Sequence, residues 1–271
     1  MKYLSLILIL SAISCAPTDF STKNQPEPAV AENLPEIGPP PPSPYEPCPG
    51  GMLEIKGNYC PQVDQTCLKY DEKTVNANGK VRCLRYAPSK CLSKTKKVMH
   101  YCIDVYEYPN KKDAIPDVMI SWLDAKKLCE AESKRLCRDT EWEFACEGED
   151  MLPYPYGLER GTDICNIDKP WIAFDGGKLM NPKTRQAEVD RLSQRVPSGS
   201  MPNCKSPFGV FDMTGNVDES VINSSGKPYS SGEKGGHWAW GARNRCRPMT
   251  TVHNEGFIFY EIGSRCCKDA K

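Results

Sequence analysis

The sequence lacks any imbalance between positive and negative charge. Its 271 residues include 35 Lys and Arg and 35 Asp and Glu, so the formal net charge at pH 7 is zero. Surfaces that attract nucleic acid or anionic membranes depend on a basic excess or on basic runs. We therefore expect no nucleic-acid partner.

Histidine is scarce, and the motifs of common hydrolases are missing. The three histidines are His100, His237 and His253. No Gly-x-Ser-x-Gly elbow is present to support a nucleophilic serine. His237, His253 and Glu255 could form an iron-binding triad of two histidines and one carboxylate. The interpretation we favour is that His237 is a packed polar residue and that His253 lies in a surface loop.

Cysteine, in contrast, is abundant, although no two cysteines have the C-x-x-C spacing typical of zinc sites. The chain has 15 cysteines, and 14 remain once Cys15 is set aside. In an exported chain, this even number predicts up to seven disulfide bridges. Spacing alone leaves their connectivity open.

The N-terminal apolar segment is too short to cross a bilayer. In residues 1–15, MKYLSLILILSAISC, Lys2 precedes the apolar run Leu4–Leu10. This pattern is typical of a signal peptide. Its Ala-Ile-Ser-Cys ending resembles a bacterial lipobox and predicts lipidation of Cys15; a plain secretory signal is the alternative. We expect an exported protein that is lipid-anchored to the membrane, with Ala16 favouring the outer membrane.

The next segment, residues 16–47, is a Pro-rich linker. Its Gly-Pro-Pro-Pro-Pro-Ser-Pro stretch favours extended polyproline II and cannot form a core. Residues 48–271 contain no second linker, and their length suits one domain.

Within that domain, the order of predicted elements is strands first and helices later. Residues 52–60, 80–86 and 98–108 have strand-like patterns, and Asn76–Gly79, NANG, is a hairpin-like turn signal. Leu123–Ser133 has helical spacing. A second helix is predicted to begin at Thr140, with Glu143 completing a capping box. We expect Glu141 and Glu143 to lie on its solvated face, and residues 171–194 to be loop.

The stretch that organises the domain is Phe208–Glu219, FGVFDMTGNVDE. Gly215 and Asn216 are residue types that tolerate positive φ, which predicts a tight reversal. Carbonyl groups of such a turn, together with the Glu219 carboxylate, could bind Ca²⁺. The alternative is an ordinary turn with a solvated acidic end.

Several blocks resemble the formylglycine-generating enzyme, or sulfatase-modifying factor, family. Phe208–Glu219 is similar to its (F/Y)GLYDMxGNVWEW signature. The other matching blocks, in the family's order, are KRLCRDTEWEFACEG (134–148), YPYG (154–157), GGHWAWGARNRCR (235–247) and IGSRC (262–266). The resemblance implies an α+β, C-type-lectin-like fold with much irregular structure. It also implies that the cysteines between residues 48 and 91 are extra disulfides of the same domain.

The resemblance also implies specific site residues. Cys129 would pair with Cys266, and Cys146 with Cys246. A first calcium site would use the Asn166 side chain and the Ile167 carbonyl, with Glu188 or Asp190 as later ligands. A second would use carbonyls of the three turn residues Asp212, Gly215 and Val217 together with the Glu219 side chain.

The catalytic cysteines of the family have no counterpart. The family's enzyme oxidises a cysteine of an unfolded sulfatase with O₂ and a copper ion held by two cysteines that follow its GGS(W/F) block. Here that segment contains only Cys246, in an RNRC context that resembles the family's structural cysteine. Copper is therefore not expected. We predict a non-catalytic module that binds a protein or glycan; the alternative is a metal-dependent oxidase of this or a related non-haem iron class.

Overall fold

Short strands and irregular loops make up most of the computed structural model, which describes residues 47–75, 81–239 and 241–271. The chain divides after Pro41 into two units, and all described residues belong to the second. Cys15, the predicted signal segment and the turn at Asn76–Gly79 lie outside the described residues. So does the predicted linker, except for Pro47.

The described residues form twelve strands and four helices. The strands are β1 Met52–Tyr59, β2 Val63–Asp64, β3 Cys67–Val75, β4 Val81–Tyr86, β5 Lys90–Cys91, β6 Lys97–Asp104, β7 Arg135–Leu136, β8 Asp218–Ile222, β9 Ser231–Lys234, β10 Met249–Thr250, β11 Ile262–Ser264 and β12 Cys266–Asp269. The helices are α1 Trp122–Ala131, α2 Asp139–Glu147, α3 Gly176–Met180 and α4 Arg185–Leu192. The predicted α+β class, rich in irregular structure, is confirmed.

One four-stranded antiparallel sheet joins the two ends of the domain, in the order β1-β6-β12-β7. Ile55 of β1 and Ile103 of β6 are fully buried in the same core as Phe144 of α2. The ring of Tyr59 packs edge-on against Phe144, with 6.0 Å between centroids. The apolar face of this sheet therefore packs against α2.

A second four-stranded sheet has the order β10-β9-β8-β11, and its strand β8 carries Asp218 and Glu219. Strand β8 pairs antiparallel with β9 and parallel with β11. Four of the five residues of β8 are buried, so both faces of this strand contact other parts of the protein. Two further pairs, β2-β5 and β3-β4, complete the strand pairing of the described residues.

Both predicted helices begin at other residues than expected, and the described residues form four helices where two were predicted. Helix α1 begins at Trp122, because the Ser121 hydroxyl caps it by accepting a hydrogen bond from Asp124 N. Helix α2 begins at Asp139, before the predicted Thr140. Its capping contact uses Glu141, whose carboxylate accepts a hydrogen bond from Arg138 N at 2.8 Å.

The prediction that Glu141 and Glu143 are solvated was wrong. Glu141 is 5% exposed and binds Arg135 through two hydrogen bonds. Glu143 is 9% exposed and accepts hydrogen bonds from Tyr59 Oη at 2.6 Å and Lys234 Nζ at 3.0 Å. Acidic residues in a first helical turn are usually exposed. Both are buried beside cations: Glu141 pairs with Arg135 from the segment just before the helix, and Glu143 pairs with Lys234 from a distant strand.

The prediction of loop for residues 171–194 was also wrong, because α3 and α4 lie within this range. Leu179, Val189 and Leu192 are buried and form a small core with Trp238 and Tyr260. The helices are short and otherwise polar, so their hydrophobic pattern is weak. Packing against the aromatic residues stabilises them. Within the described part of the chain, no helix has the length and hydropathy that a membrane span requires.

Seven disulfides connect the fourteen cysteines of the described region, so the predicted disulfide framework is confirmed. The pairs are Cys48–Cys102, Cys60–Cys91, Cys67–Cys83, Cys129–Cys266, Cys137–Cys267, Cys146–Cys246 and Cys165–Cys204. Two of them are the pairs implied by the family resemblance. The pairs Cys129–Cys266 and Cys137–Cys267 attach the C-terminal strand to α1 and to the segment before α2.

Candidate functional site

Strand β8 separates two acidic residues that are adjacent in sequence. Because successive side chains in a strand point to opposite faces, Asp218 and Glu219 enter different environments. Glu219 lies opposite Lys234 in the register, and Ser220 lies opposite Glu233. Asp218 and Glu233 therefore share one face of the sheet, and Glu219 and Lys234 share the other.

On the Glu219 face, the carboxylate forms a buried ion pair. Glu219 and Arg265 are 1% and 0% exposed as side chains, and Arg265 Nη2 donates to Glu219 Oε1 at 2.8 Å. The other oxygen, Oε2, accepts a hydrogen bond from Trp142 Nε1 at 2.6 Å. A calcium ion bound through Glu219 would have to share this carboxylate with a guanidinium group.

The structure brings three of the other residues expected to bind calcium close together, since Gly215 lies against Asn166 and Ile167. The turn has positive φ at Gly215 and Asn216, as predicted, and also at Asp212. Asn216 N donates to the Asn166 carbonyl oxygen at 3.0 Å. Asn166 is 1% exposed, and its side-chain oxygen has no hydrogen-bond partner among the described residues.

The remaining residues of the two predicted calcium sites have contacts of their own. Asp212 accepts a hydrogen bond from Gly199 N through its carboxylate, at 2.7 Å. Val217 N donates to Glu107, a buried carboxylate that the sequence did not single out. Ile167 is buried next to the Cys165–Cys204 disulfide. Of the two later ligands considered, Glu188 binds Arg191, and Asp190 accepts a hydrogen bond from Gln186.

On the opposite face of β8, Asp218 lines a cavity of about 190 Å³. Its other lining residues are Glu233, Arg243, His253, Phe257, Phe259, Glu261 and Ile262. Parallel pairing of Ile262 with Asp218 places Glu261 next to Asp218, and Asp218 N donates to the Glu261 carbonyl at 2.9 Å. Phenylalanine rings and carboxyl groups therefore both line the cavity.

His237 lies beside Glu261, one of the residues that line the cavity. Its Nε2 lies 3.0 Å from Glu261 Oε2 without hydrogen-bond geometry. One side-chain ligand atom from each of Asp218, His237 and Glu261 lies within 4.8 Å of the other two. Arg243 pairs with Asp218, and Gly236 N donates to the same carboxylate at 3.2 Å. We call Asp218, His237 and Glu261 the acidic-histidine cluster.

Burial and repulsion shift the protonation of these groups. Burial, reinforced by the charge of Asp218, raises the pKa of both Glu233 and Glu261 to about 8. Burial lowers the pKa of His237 to about 4. At neutral pH the imidazole is therefore uncharged and can offer a lone pair as a ligand.

The triad of His237, His253 and Glu255, which the sequence allows but does not favour, is not assembled. Glu255 instead accepts a hydrogen bond from Ser230 N at 2.7 Å. His253 stacks on Phe257 at 3.9 Å between centroids and lies 3.3 Å from Glu233. Sequence reasoning selected the nearby Glu255 and missed Asp218 and Glu261. The available signal was that Asp218 lies within the Phe208–Glu219 block and that Glu261 directly precedes the block at residues 262–266.

The remaining cysteine of the family's catalytic segment is fully buried. Cys246 is bonded to Cys146 of α2. Arg247, the next residue, contacts Glu147 through two hydrogen bonds of 2.6 and 2.7 Å. This segment therefore holds a loop against α2 and supplies no thiolate.

The family assignment follows from comparison with known proteins. The sequence profile of the sulfatase-modifying factor enzyme 1-like domain matches residues 65–270. The chain belongs to this FGE-sulfatase family.

Its relatives include a protein named as inactive and a protein named as a formylglycine-generating enzyme. It is 34% identical over 110 residues to the inactive C-alpha-formylglycine-generating enzyme 2 of Bos taurus, covering 40% of this chain and 33% of the relative. It is 33% identical over 109 residues to the formylglycine-generating enzyme of Thermomonospora curvata, covering 38% and 32%. The chain thus spans about a third of the length of these two relatives.

A solved structure supports the same fold. The crystal structure of CarF superposes with a TM-score of 0.52 at 13% identity, covering 81% of this chain and 98% of CarF. At this identity the likeness concerns the fold alone. Together with the family match, it confirms the C-type-lectin-like architecture expected from the sequence.

Proposed function

We propose that this protein is a non-catalytic binding module of the sulfatase-modifying factor family, specific for a protein or glycan ligand. One observation carries the proposal: all fourteen cysteines of the described region form disulfides. Copper(I) in the family's enzyme requires two thiolates, and a disulfide sulfur cannot replace them. The similarity to an inactive vertebrate relative is consistent with this function.

The proposal extends to an exported, lipid-anchored protein. Disulfide-rich domains persist in oxidising compartments outside the cytosol. The lipobox-like ending at Cys15 and the Pro-rich segment that follows suit a lipid anchor and a spacer. The ligand would then be bound outside the cytosol, with the outer membrane as the favoured location.

A structural calcium ion is also part of the proposal. The unpartnered, buried Asn166 oxygen supports a cation next to the turn, since a buried polar atom without a partner is costly. We assign the first site to Asn166 and Ile167. Because Glu219 forms a buried ion pair with Arg265, we propose that its main role is to stabilise the fold and that calcium binding is a secondary role.

A thiol count tests the non-catalytic function. Denatured, unreduced protein that carries Cys15→Ser should react with no thiol reagent, and the native protein should take up no copper(I). Cys246→Ser should free one reactive thiol, that of Cys146, and serves as a positive control for detection.

The second candidate function is a metal-dependent oxidase. The binding-module proposal would be contradicted if a thiol reagent modified two cysteines in the native Cys15→Ser protein and if added copper(I) prevented that modification. O₂ consumption with a cysteine-containing peptide would contradict it equally. Elemental analysis of the same sample measures calcium, copper and iron together.

A further inference from the structure

The cavity beside β8 contains ligand atoms without adequate partners. Glu233 is 5% exposed, and its Oε2 has no hydrogen-bond partner among the described residues. The Nε2 atom of His237 is buried and lies 3.0 Å from Glu261 Oε2, but it makes no hydrogen bond. Buried polar atoms are normally satisfied, so each exception indicates a missing ligand or a strained site. Here three such atoms belong to the same small region, because Arg243 Nη1 is also buried without a hydrogen-bond partner among the described residues.

Acidic side chains also outnumber basic ones in this region. Asp218, Glu233 and Glu261 contribute three carboxyl groups, and Arg243 is the one guanidinium among the described lining residues. Arg243 is directed at Asp218, which leaves the other two carboxyl groups without a cationic side chain from Lys or Arg. Lys234 points to the other face of the sheet, where it binds Glu143. A bound divalent cation would favour the ionised form of these two groups.

We propose that the acidic-histidine cluster binds one divalent first-row transition metal ion, with Zn²⁺ as the representative. Its ligands are His237 Nε2 and carboxylate oxygens of Asp218 and Glu261, and Glu233 supports the site from the cavity wall. Asp218 would share its carboxylate between the ion, Arg243 and Gly236 N. The ligand atoms lie within 4.8 Å of one another, whereas donors at about 2.0–2.2 Å from one ion are at most about 4.4 Å apart, so side-chain shifts would close the site around the ion. The mixture of nitrogen and oxygen donors suits Zn²⁺, Mn²⁺ or Fe²⁺ better than Ca²⁺ or copper(I).

This site is distinct from the family's copper chemistry and from the predicted calcium sites. It uses no cysteine, and its Asp218 faces away from the Glu219–Arg265 pair. It is also independent of the non-catalytic proposal, because a bound ion here could shape the ligand cavity without any redox chemistry.

The first experiment uses the small number of histidines. Wild-type full-length protein labelled with ¹⁵N-histidine has three imidazoles, so a ¹H–¹⁵N spectrum of the ring nitrogens is simple. One equivalent of Zn²⁺ added to EDTA-treated, dialysed protein should shift the His237 Nε2 signal. Signals of His100, at the exposed pair with Glu54, should remain unchanged. The variants H100Q and H253Q assign the spectrum and leave His237 intact.

The second experiment measures affinity by calorimetric titration with Zn²⁺. We expect one site in the wild type, and H237Q and E261Q should each weaken binding more than about tenfold. H100Q is the matched control, since it removes a histidine next to a carboxylate at a surface position, and its affinity should equal that of the wild type. If the cluster variants fail to fold, the wild-type spectrum still decides the question.

Three outcomes would overturn the proposal. They are no Zn²⁺ binding by the wild type, a Zn²⁺-induced shift confined to His100 or His253, and equal affinity in wild type and H237Q. Binding of an organic ammonium ion such as benzylamine, with no response to Zn²⁺, would also overturn it and would assign the aromatic and acidic cavity to a cationic small molecule.

Discussion

At the scale of single residues, neighbouring acids have different roles because of strand geometry. Asp218 faces a cavity and Glu219 faces α2, although both are 1% exposed. Glu219 is neutralised by Arg265, and a buried pair of this kind is costly to break because one charge remains unpaired. The two positions therefore respond differently to substitution.

We predict that Glu219→Gln lowers the free energy of unfolding by about 3–5 kcal/mol, because Arg265 loses its counter-charge. Urea denaturation of the oxidised protein, in EDTA and again in Ca²⁺, measures the change. Glu54→Gln is the control, since Glu54 forms an exposed pair with His100, and it should cost at most about 1 kcal/mol. A loss seen only in Ca²⁺ would contradict this explanation and identify Glu219 primarily as a calcium ligand.

Calcium removal is a separate prediction. Ca²⁺ that binds only the folded state should raise the melting temperature of the wild type above its value in EDTA. The buried Asn166 oxygen is the physical reason for expecting this increase. Identical melting curves in EDTA and Ca²⁺ would exclude a structural calcium ion.

At the scale of elements, the Phe208–Glu219 segment depends on its reversal at Gly215. Gly215 has φ of +81°, and a Cβ atom there would lie 2.3 Å from the Asn166 carbonyl oxygen. The close approach joins the turn to the Cys165–Ile167 segment. Backbone atoms cannot yield as a flexible side chain would, so no other residue type fits without displacing the segment.

We predict that Gly215→Ala destabilises the protein by more than about 2 kcal/mol, from backbone strain and the clash together. Gly226→Ala is the matched control, because Gly226 also has positive φ, of +63°, but open space at its Cβ position. That substitution should cost only about 1 kcal/mol. Equal losses of unfolding free energy in the two variants would show that the contact with Asn166 is unimportant.

At the scale of the whole molecule, disulfides join parts of the domain that are far apart in sequence. Cys129–Cys266 closes a separation of 137 residues, and Cys137–Cys267 one of 130. Long loops of this kind are those for which cross-linking most restricts the unfolded chain. Such a framework suits a domain that works outside the cytosol, which is consistent with the proposed export and anchoring.

The anchoring prediction concerns Cys15. Cys15→Ser should abolish incorporation of a labelled fatty acid and release the protein from the membrane fraction, because the acyl chains hold the mature N-terminus in the bilayer. Lys2→Gln is a control that keeps the cysteine and should still permit labelling. Unchanged labelling of Cys15→Ser would contradict lipidation at this position.

The sequence by itself determined the features that depend on local pattern or on contiguous blocks. The family blocks predicted the fold class, and the Gly-Asn pair predicted the reversal at Gly215 and Asn216. The even cysteine count predicted a disulfide framework. These inferences succeed because backbone conformation and block order are properties of the chain read in order.

Only the tertiary structure decided which distant groups meet. Glu143 is buried because Lys234 lies beside it, and α4 forms because Val189 and Leu192 pack with Trp238. The acidic-histidine cluster arises because parallel pairing of β11 with β8 places Glu261 next to Asp218. Strand register and packing create these contacts through space, and a one-residue change of register would turn each side chain to the opposite face.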